Sequence, residues 1–527
     1  MPACATSTTG DGNSSDGASA TPLVYATGDA EPTCLDPHVG GNYPQALLAS
    51  QVLESMVGLD DEGQIVPWIA TEWQLSDNGL TWDFTLDPDA TFSDGTPVDA
   101  EAIKVNIEHL QDPETASSTG YLAVQQIAEV EVVDETHARF HMTRPDAALL
   151  ESLAQPWVAI QAPSGIERGQ DANCLTPIGS GPFVVTEWVK QNHITLDRNP
   201  DYRDTLSSVG DTPADAVQQV TWRFIPDATA RFAALVSGDV DVIDNPLPEQ
   251  ISQAQSDDTL EHLDAPRPGA SNRIELNSSQ IPFDDQLVRE AFLAATNIDP
   301  SIETLFEGTA ARSHSALSSV EPFALQSPER YAYDLDLAND LLDEAGWTEH
   351  DADGIRVKNG ERLTVRFPVT GAQSTQAEQA LFEQLQASVR EAGFDVQISL
   401  LDLSSWYAAL GAHEYELVSA PYTKIGPDVL RILFHSDSTV PAPSGYFANH
   451  AMIADPSLDA LLETVATESD ATVRAEAAQQ AQQIIADAAV ILPVYDQQNH
   501  FLYRAELEGV RSLPTVQTPW LANVTRS

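Results

Sequence analysis

Lysine is nearly absent from this chain of 527 residues, occurring only at Lys104, Lys190, Lys358 and Lys424. Lys and Arg together number 25 against 80 Asp and Glu, a formal net charge of −55. Binding nucleic acid or an anionic lipid surface takes clustered Lys and Arg, so neither is a partner of this surface. The acidity itself reads as solubility or salt tolerance. Cysteine is as scarce, with only Cys4, Cys34 and Cys174. The sequence holds no CxxC, HExxH or Cys/His cluster, which argues against a zinc site. No run approaches the roughly 18 apolar residues of a membrane-spanning helix. Ser, His and Asp are present, yet no nucleophile stands in a recognisable context, and carboxylate pairs in so acidic a chain arise by chance. No catalytic residue is expected.

What is present reads as mixed α and β structure, and the length calls for two or three domains. Residues 1–21 are mostly Ser, Thr, Gly and Asp, with little to bury, and read as a flexible tether. Ala3-Cys4 ahead of it resembles the end of a lipobox, so Cys4 is the candidate lipidation site and export the expected fate. For an exported chain, Cys34 and Cys174 leave one disulfide or two buried thiols open. LTWDFTL (80–86) alternates like a half-buried strand, and 130–142 and 183–199 each read as two strands around a polar turn. Helices are expected over 284–297, 336–347, 378–392 and 471–489, with Gly346 in a left-handed C-terminal cap. HisAspAlaAspGly (350–354) faintly resembles a calcium loop, but its twelfth position from Asp351 is Arg362, so it reads as a hairpin turn.

PIGSGPFVVTEW (177–188) poses the sharpest question. A Walker loop needs GxxxxGK[ST], and a nucleophile elbow needs GxSxG followed by a helix. Neither pattern is met. Pro182 fixes the backbone, the glycines permit positive φ, and a strand follows, so the segment reads as a structural corner.

PIGSGPFVVTEWVKQNHITLDRNPDYRD (177–204) resembles a signature of the family 5 extracellular solute-binding proteins of ABC importers. Four further segments resemble the family in order: 34–110 with its LDP and DGTP turns, FIPDATARFAALVSGDVDVI (224–243), NRIELNSSQIPFDDQLVREAFLAATN (272–297) and YAYDLDLANDLLDEAGW (331–347). The resemblance spans roughly residues 23–515 and implies an α/β, class II periplasmic-binding-protein fold. Two lobes joined by a hinge close on the ligand, and an extra domain is inserted. It places the first lobe at 22–45, 175–266 and 491–527, the inserted domain at 46–174 and the second lobe at 267–490. Hinges are expected at AspAlaProArgProGly (264–269) and near Val490–Asp496.

The resemblance further implies a monomer that captures a small solute outside the membrane, as peptide or peptide-like compound, and delivers it to a permease and its ATPase. No cofactor is implied. A nickel chelate or other small anionic metabolite is the alternative, with His435 and His450 as nearby imidazoles. The family topology brings Cys34 and Cys174 onto one lobe and so implies their pairing. Ligand-facing positions carry over to Tyr25, Asn42, Tyr43, Tyr121, Trp157, Trp406 and Tyr422. In YELVSAPYTKIGPDVLRILFHSDS (415–438) Pro427, Asp428 and the Phe434–Ser436 step match the peptide-binding relatives. Tyr422 stands for their Trp, and their amine-reading acid has no counterpart. Lys424 lies there instead, which gives the expectation that it and Asp428 face the ligand, with Lys424 favouring a carboxylate.

Overall fold

A computed structural model describes residues 21–527 except 207, 322, 372, 420, 421, 423 and 469. The tether and Cys4 lie outside the described residues. Among these, no helix is long and apolar enough to cross a membrane.

Three apolar cores organise the chain. The first lies under a seven-stranded sheet in the order Leu260–Pro266, Gln498–Arg504, Val242–Asp244, Leu23–Thr27, Gln219–Phe224, His193–Arg198, Phe183–Val189. Leu23–Thr27 runs parallel to both its neighbours, and the remaining pairs are antiparallel. The second core belongs to a four-stranded antiparallel sheet, Ala70–Leu75, Thr81–Leu86, His137–Met142 and Ile127–Asp134, covered by the helix Ala100–Gln111. Alternation along TWDFTL puts Trp82, Phe84 and Leu86 inside, as a period of two requires. Asp99 caps the covering helix by accepting from the Ala102 amide.

The third core gathers the helices Gln286–Ala294, Leu335–Glu344 and Gln376–Arg390 against the parallel pair Thr364–Thr370 and Asp395–Leu401. Beside it stands a small sheet, Leu417–Ser419, Asn272–Leu276 and Ile491–Tyr495. Helices Pro456–Thr467 and Ala471–Asp487 pack together on a neighbouring cluster. The expected helices and hairpins all form, Gly346 is left-handed at φ 85°, and residues 350–354 make the turn between Glu349–His350 and Arg356–Lys358.

Two expectations need correction. Ile491–Tyr495 was assigned to the first lobe but pairs antiparallel with Asn272–Leu276. Its five residues are all buried, and such an apolar run marks a central strand without saying of which sheet. The second correction concerns PIGSGP. It is a corner leading into Phe183–Val189, yet neither Gly179 nor Gly181 has positive φ. Close approach is the reason for both glycines: a Cβ on Gly179 would lie 2.1 Å from the Val52 carbonyl oxygen, and one on Gly181 2.5 Å from the Val52 carbonyl carbon. Only a residue without Cβ fits there.

Two chain crossings join the first sheet to the third core. One follows Pro266 and the other precedes Gln498, and they run side by side: the Arg267 amide donates to the Gln497 carbonyl at 2.9 Å, and Gln497 Nε2 donates to the Ala270 carbonyl at 3.1 Å. On the far side the second core also touches the third body, through Arg144–Glu463, Glu151–Arg474 and the Ala147 amide on the Ala466 carbonyl.

Candidate functional site

The parallel strands Leu23–Thr27, Gln219–Phe224 and Val242–Asp244 all end at one crevice, where Gly28, Asp29, Pro226, Asn245 and Pro246 form a wall. Crevices at the carboxyl ends of such strands are where open α/β sheets take ligands. Here the crevice opens into a cavity of about 1060 Å3 bounded by all three bodies and by both crossings. That is at the upper end of the roughly 300–1,000 Å3 usual for small-molecule sites.

The first turns of two capped helices contribute to the wall. Asn42 caps Tyr43–Val52 in a capping box with Gln45, and Thr375 caps Gln376–Arg390 in another with Glu378. Both helices therefore present their positive ends to the cavity. Aromatic side chains supply the apolar surface: Tyr43, Trp157, Trp406, Tyr407, Tyr422 and Tyr446. Trp157 is fixed by its Nε1–H on the Asn42 carbonyl (3.0 Å), and Trp406 by its Nε1–H on the Pro368 carbonyl (3.3 Å).

Charge in the cavity departs from that of the chain. Two acids, Asp29 and Glu378, face two arginines, Arg231 and Arg267. Arg231 is committed to the fold, donating to the carbonyls of Ile225, Pro226, Asp244 and Asn245. Arg267 lies on the first crossing with its guanidinium carbon 4.5 Å from the centre of the Tyr43 ring. Glu378 accepts from Asn272 Nδ2 at 2.8 Å, which orients it. Asp29 differs. Its Oδ2 is buried with no hydrogen-bond partner among the described residues, and burial together with the Asp244 charge lifts its pKa to about 7. His450 is similar in having no hydrogen bond at either ring nitrogen among those residues, although its Nδ1 lies 4.0 Å from Glu275 Oε2, and burial pushes its pKa down to about 3.

Of the expected ligand-facing residues, Asn42, Tyr43, Trp157, Trp406 and Tyr422 line the cavity. Four do not. Tyr25 sits inside its strand, stacked on Trp222 at 3.9 Å, with its hydroxyl on Asp244 Oδ2. Tyr121 is two residues beyond Thr119, which does line the cavity, and two residues turn a helix by about 200°, onto the opposite face. Lys424 is buried with its ammonium on the Asp428 carboxylate, and Arg431 holds the other side of Asp428 at 2.7 Å. The lysine that was expected to read a ligand carboxylate is thus used within the protein. His435 is likewise off the cavity, paired with Glu463 at 3.2 Å. Cys34 and Cys174 are joined as a disulfide, and the Leu35 amide donates to the Cys174 carbonyl beside it.

Sequence reasoning passed over Asp29, Arg267, Glu378, Tyr407 and Tyr446. Only Arg267 left a trace, because its segment was singled out as a hinge. A residue on a hinge between closing lobes is placed to touch what they enclose.

Two α/β lobes, joined by paired crossings and enclosing a lined cavity, define a class II periplasmic-binding-protein architecture, here with an inserted domain. The sequence model "Bacterial extracellular solute-binding proteins, family 5 Middle" matches residues 64–441. The chain belongs to that family, whose members deliver peptides, nickel chelates or other solutes to ABC importers. It is 28% identical over 471 residues to the nickel-binding periplasmic protein of Escherichia coli K12, covering 87% of this chain and 86% of that one. A glutathione-binding protein of Salmonella paratyphi A is also 28% identical, over 60% of each chain. Among solved structures, NikA from Brucella suis in complex with Fe(III)-EDTA superposes with a TM-score of 0.79 at 26% identity, over 96% of this chain and 100% of that one. The dipeptide-binding protein from Pseudoalteromonas sp. SM9913 in complex with Met-Leu has a TM-score of 0.83 at 20% identity, over 96% and 100%, and shares the fold. These relatives are binding proteins, and the family places the chain outside the cytoplasm.

Proposed function

We propose that the chain captures a small zwitterionic peptide or peptide-like solute in the cavity between its lobes, without chemical turnover. The observation that carries this reading is the pairing of an unpartnered Asp29 carboxylate oxygen with the Arg267 guanidinium in one enclosure. An ammonium satisfies the first, and a carboxylate lies flat against the planar fork of the second. Two helix N-termini reinforce the carboxylate end, and the aromatic walls take the apolar part of the solute. Closure desolvates both contacts, so few of them suffice.

The experiment is a thermal-shift screen with di- and tripeptides, followed by calorimetry with the best binder, its N-acetyl form and its C-terminal amide. Both blocked forms are expected to bind more weakly, Arg267→Met to cost about 2–5 kcal/mol of binding, and scattering to show compaction on ligand addition. An amide that binds as well as the acid would remove the Arg267 contact and the reading with it.

His450 supports a second reading. A buried imidazole with no hydrogen bond at either nitrogen among the described residues, at a cavity wall, is a donor for a chelated metal, and a relative named as nickel-binding aligns over most of the chain. Under it, Ni2+ with free histidine binds, and His450→Ala abolishes that binding while sparing peptides. Cys4 followed by a polar tether supports membrane attachment through a lipid, and a monomer is sufficient because one chain supplies every wall of the cavity.

A further inference from the structure

We propose that Asp36, His38 and His109 form a binding site for one divalent transition-metal ion, with Zn2+ as the reference ion, that clamps the inserted domain to the first lobe. The three residues come from two segments about seventy residues apart, His109 lying on the helix Ala100–Gln111 of the inserted domain and the other two on the segment that leaves the first strand. In space one donor atom from each lies within 4.8 Å of the others. Metal–nitrogen and metal–oxygen bonds of about 2.0–2.2 Å set tetrahedral ligand atoms somewhat over 3 Å apart. His109 Nε2 and Asp36 Oδ2 are already 3.1 Å apart, and drawing in the His38 donor from within 4.8 Å completes the set.

The surroundings orient each ligand as a metal requires. His38 Nε2 faces the Ala159 carbonyl at 2.9 Å, which accepts only from N–H, so the proton sits on Nε2. The lone pair is then on His38 Nδ1, buried and without a hydrogen-bond partner among the described residues. His109 Nδ1 is 3.0 Å from the Thr115 hydroxyl, which can donate or accept and so follows either state of the ring. Asp36 is held by Gln161 Nε2 on Oδ1 at 2.7 Å and by Asn173 Nδ2 on Oδ2 at 2.8 Å. Outer partners of this kind fix ligating rings and carboxylates in metal sites.

Two imidazoles and one carboxylate make a donor set suited to Zn2+, Ni2+ or Cu2+ rather than to calcium. His109 keeps 15% of its side chain exposed, while Asp36 has 1%. The ion and a fourth ligand from water therefore have an approach from that side. Residues Val39–Asn42 follow the last ligand of this segment and line the ligand cavity, so the ion would stiffen a wall of that cavity without entering it.

The full-length protein, stripped with EDTA, is to be titrated with Zn2+ against a competing chromophoric chelator in physiological salt. One tight equivalent is expected, with a rise in melting temperature. His38→Ala and His109→Ala should each weaken uptake by about tenfold or more, and His350→Ala, on the exposed strand Glu349–His350, should leave it unchanged. Crystals of the wild type soaked in Zn2+ should show an anomalous peak among the three residues, a readout that does not depend on how the variants fold. Diffuse weak uptake, a peak elsewhere, or uptake that survives both His38→Ala and His109→Ala would overturn the site and leave the three residues as a hydrogen-bond network.

Discussion

Asp29 titrates near neutrality because burial and the Asp244 charge outweigh Arg267 and Arg231 nearby. Pairing with a ligand ammonium needs the ionised carboxylate, so affinity should fall as pH drops below about 7, by up to roughly tenfold per unit. Calorimetry at pH 6 and pH 8 checks this, and Asp29→Asn should bind weakly and without that slope. Lys424 belongs to stability instead. It shares Asp428 with Arg431, among Asp146, Glu151 and Glu321, so Lys424→Met should leave ligand affinity unchanged. The substitution should lower stability by about 3–5 kcal/mol at most, read by urea unfolding. At this scale the sequence was a partial guide. Aromatic residues near the right loops could be carried over from relatives, and four of them, Tyr43, Trp157, Trp406 and Tyr422, do line the cavity. An ion pair four residues apart could not be told from a lysine facing a ligand, because spacing does not say which way a loop turns.

Elements were legible where their own pattern decided them. The hairpin of 130–142, the cap at Gly346 and the helix-then-strand order of 378–401 follow from local periodicity and turn chemistry. What the pattern did not hold was long-range partnership. ILPVY reads as a strand anywhere, and only its register with Asn272–Leu276 gives it a sheet. Gly179 and Gly181 share this limit, since their reason is the backbone of Val52–Leu53, more than a hundred residues earlier. Gly179→Ala should therefore cost about 1–3 kcal/mol by forcing two backbones apart. Gly411→Ala, on a helix with no neighbour within 4 Å of the added carbon, should be neutral or slightly stabilising. Equal unfolding midpoints for the two variants would refute the close-packing account.

Across the whole molecule, the pH dependence of stability follows from buried acids. Asp29, Glu54, Glu151 and Glu321 are all held near 7 by burial, above an unfolded value of about 4. The native state binds their protons more tightly, so it loses stability as pH rises from about 4 through 7. Glu463, held near 2 by His435 and Arg144, works the other way and withdraws its contribution as pH falls from about 4 toward 2. Repulsion among the excess carboxylates adds to the loss at higher pH. The melting temperature should thus be higher at pH 5 than at pH 8, and added salt should recover only the repulsive part. A melting temperature that climbs from pH 5 to pH 8 would contradict this. The strand Gln498–Arg504 has a different consequence. It lies inside the first sheet, between Val242–Asp244 and Leu260–Pro266, although the whole second lobe is synthesised before it. The lobe begun first on the ribosome is therefore the one finished last. Until that strand is made, Val242–Asp244 and Leu260–Pro266 lack the neighbour that joins them, so the first sheet cannot close co-translationally on its own earlier strands.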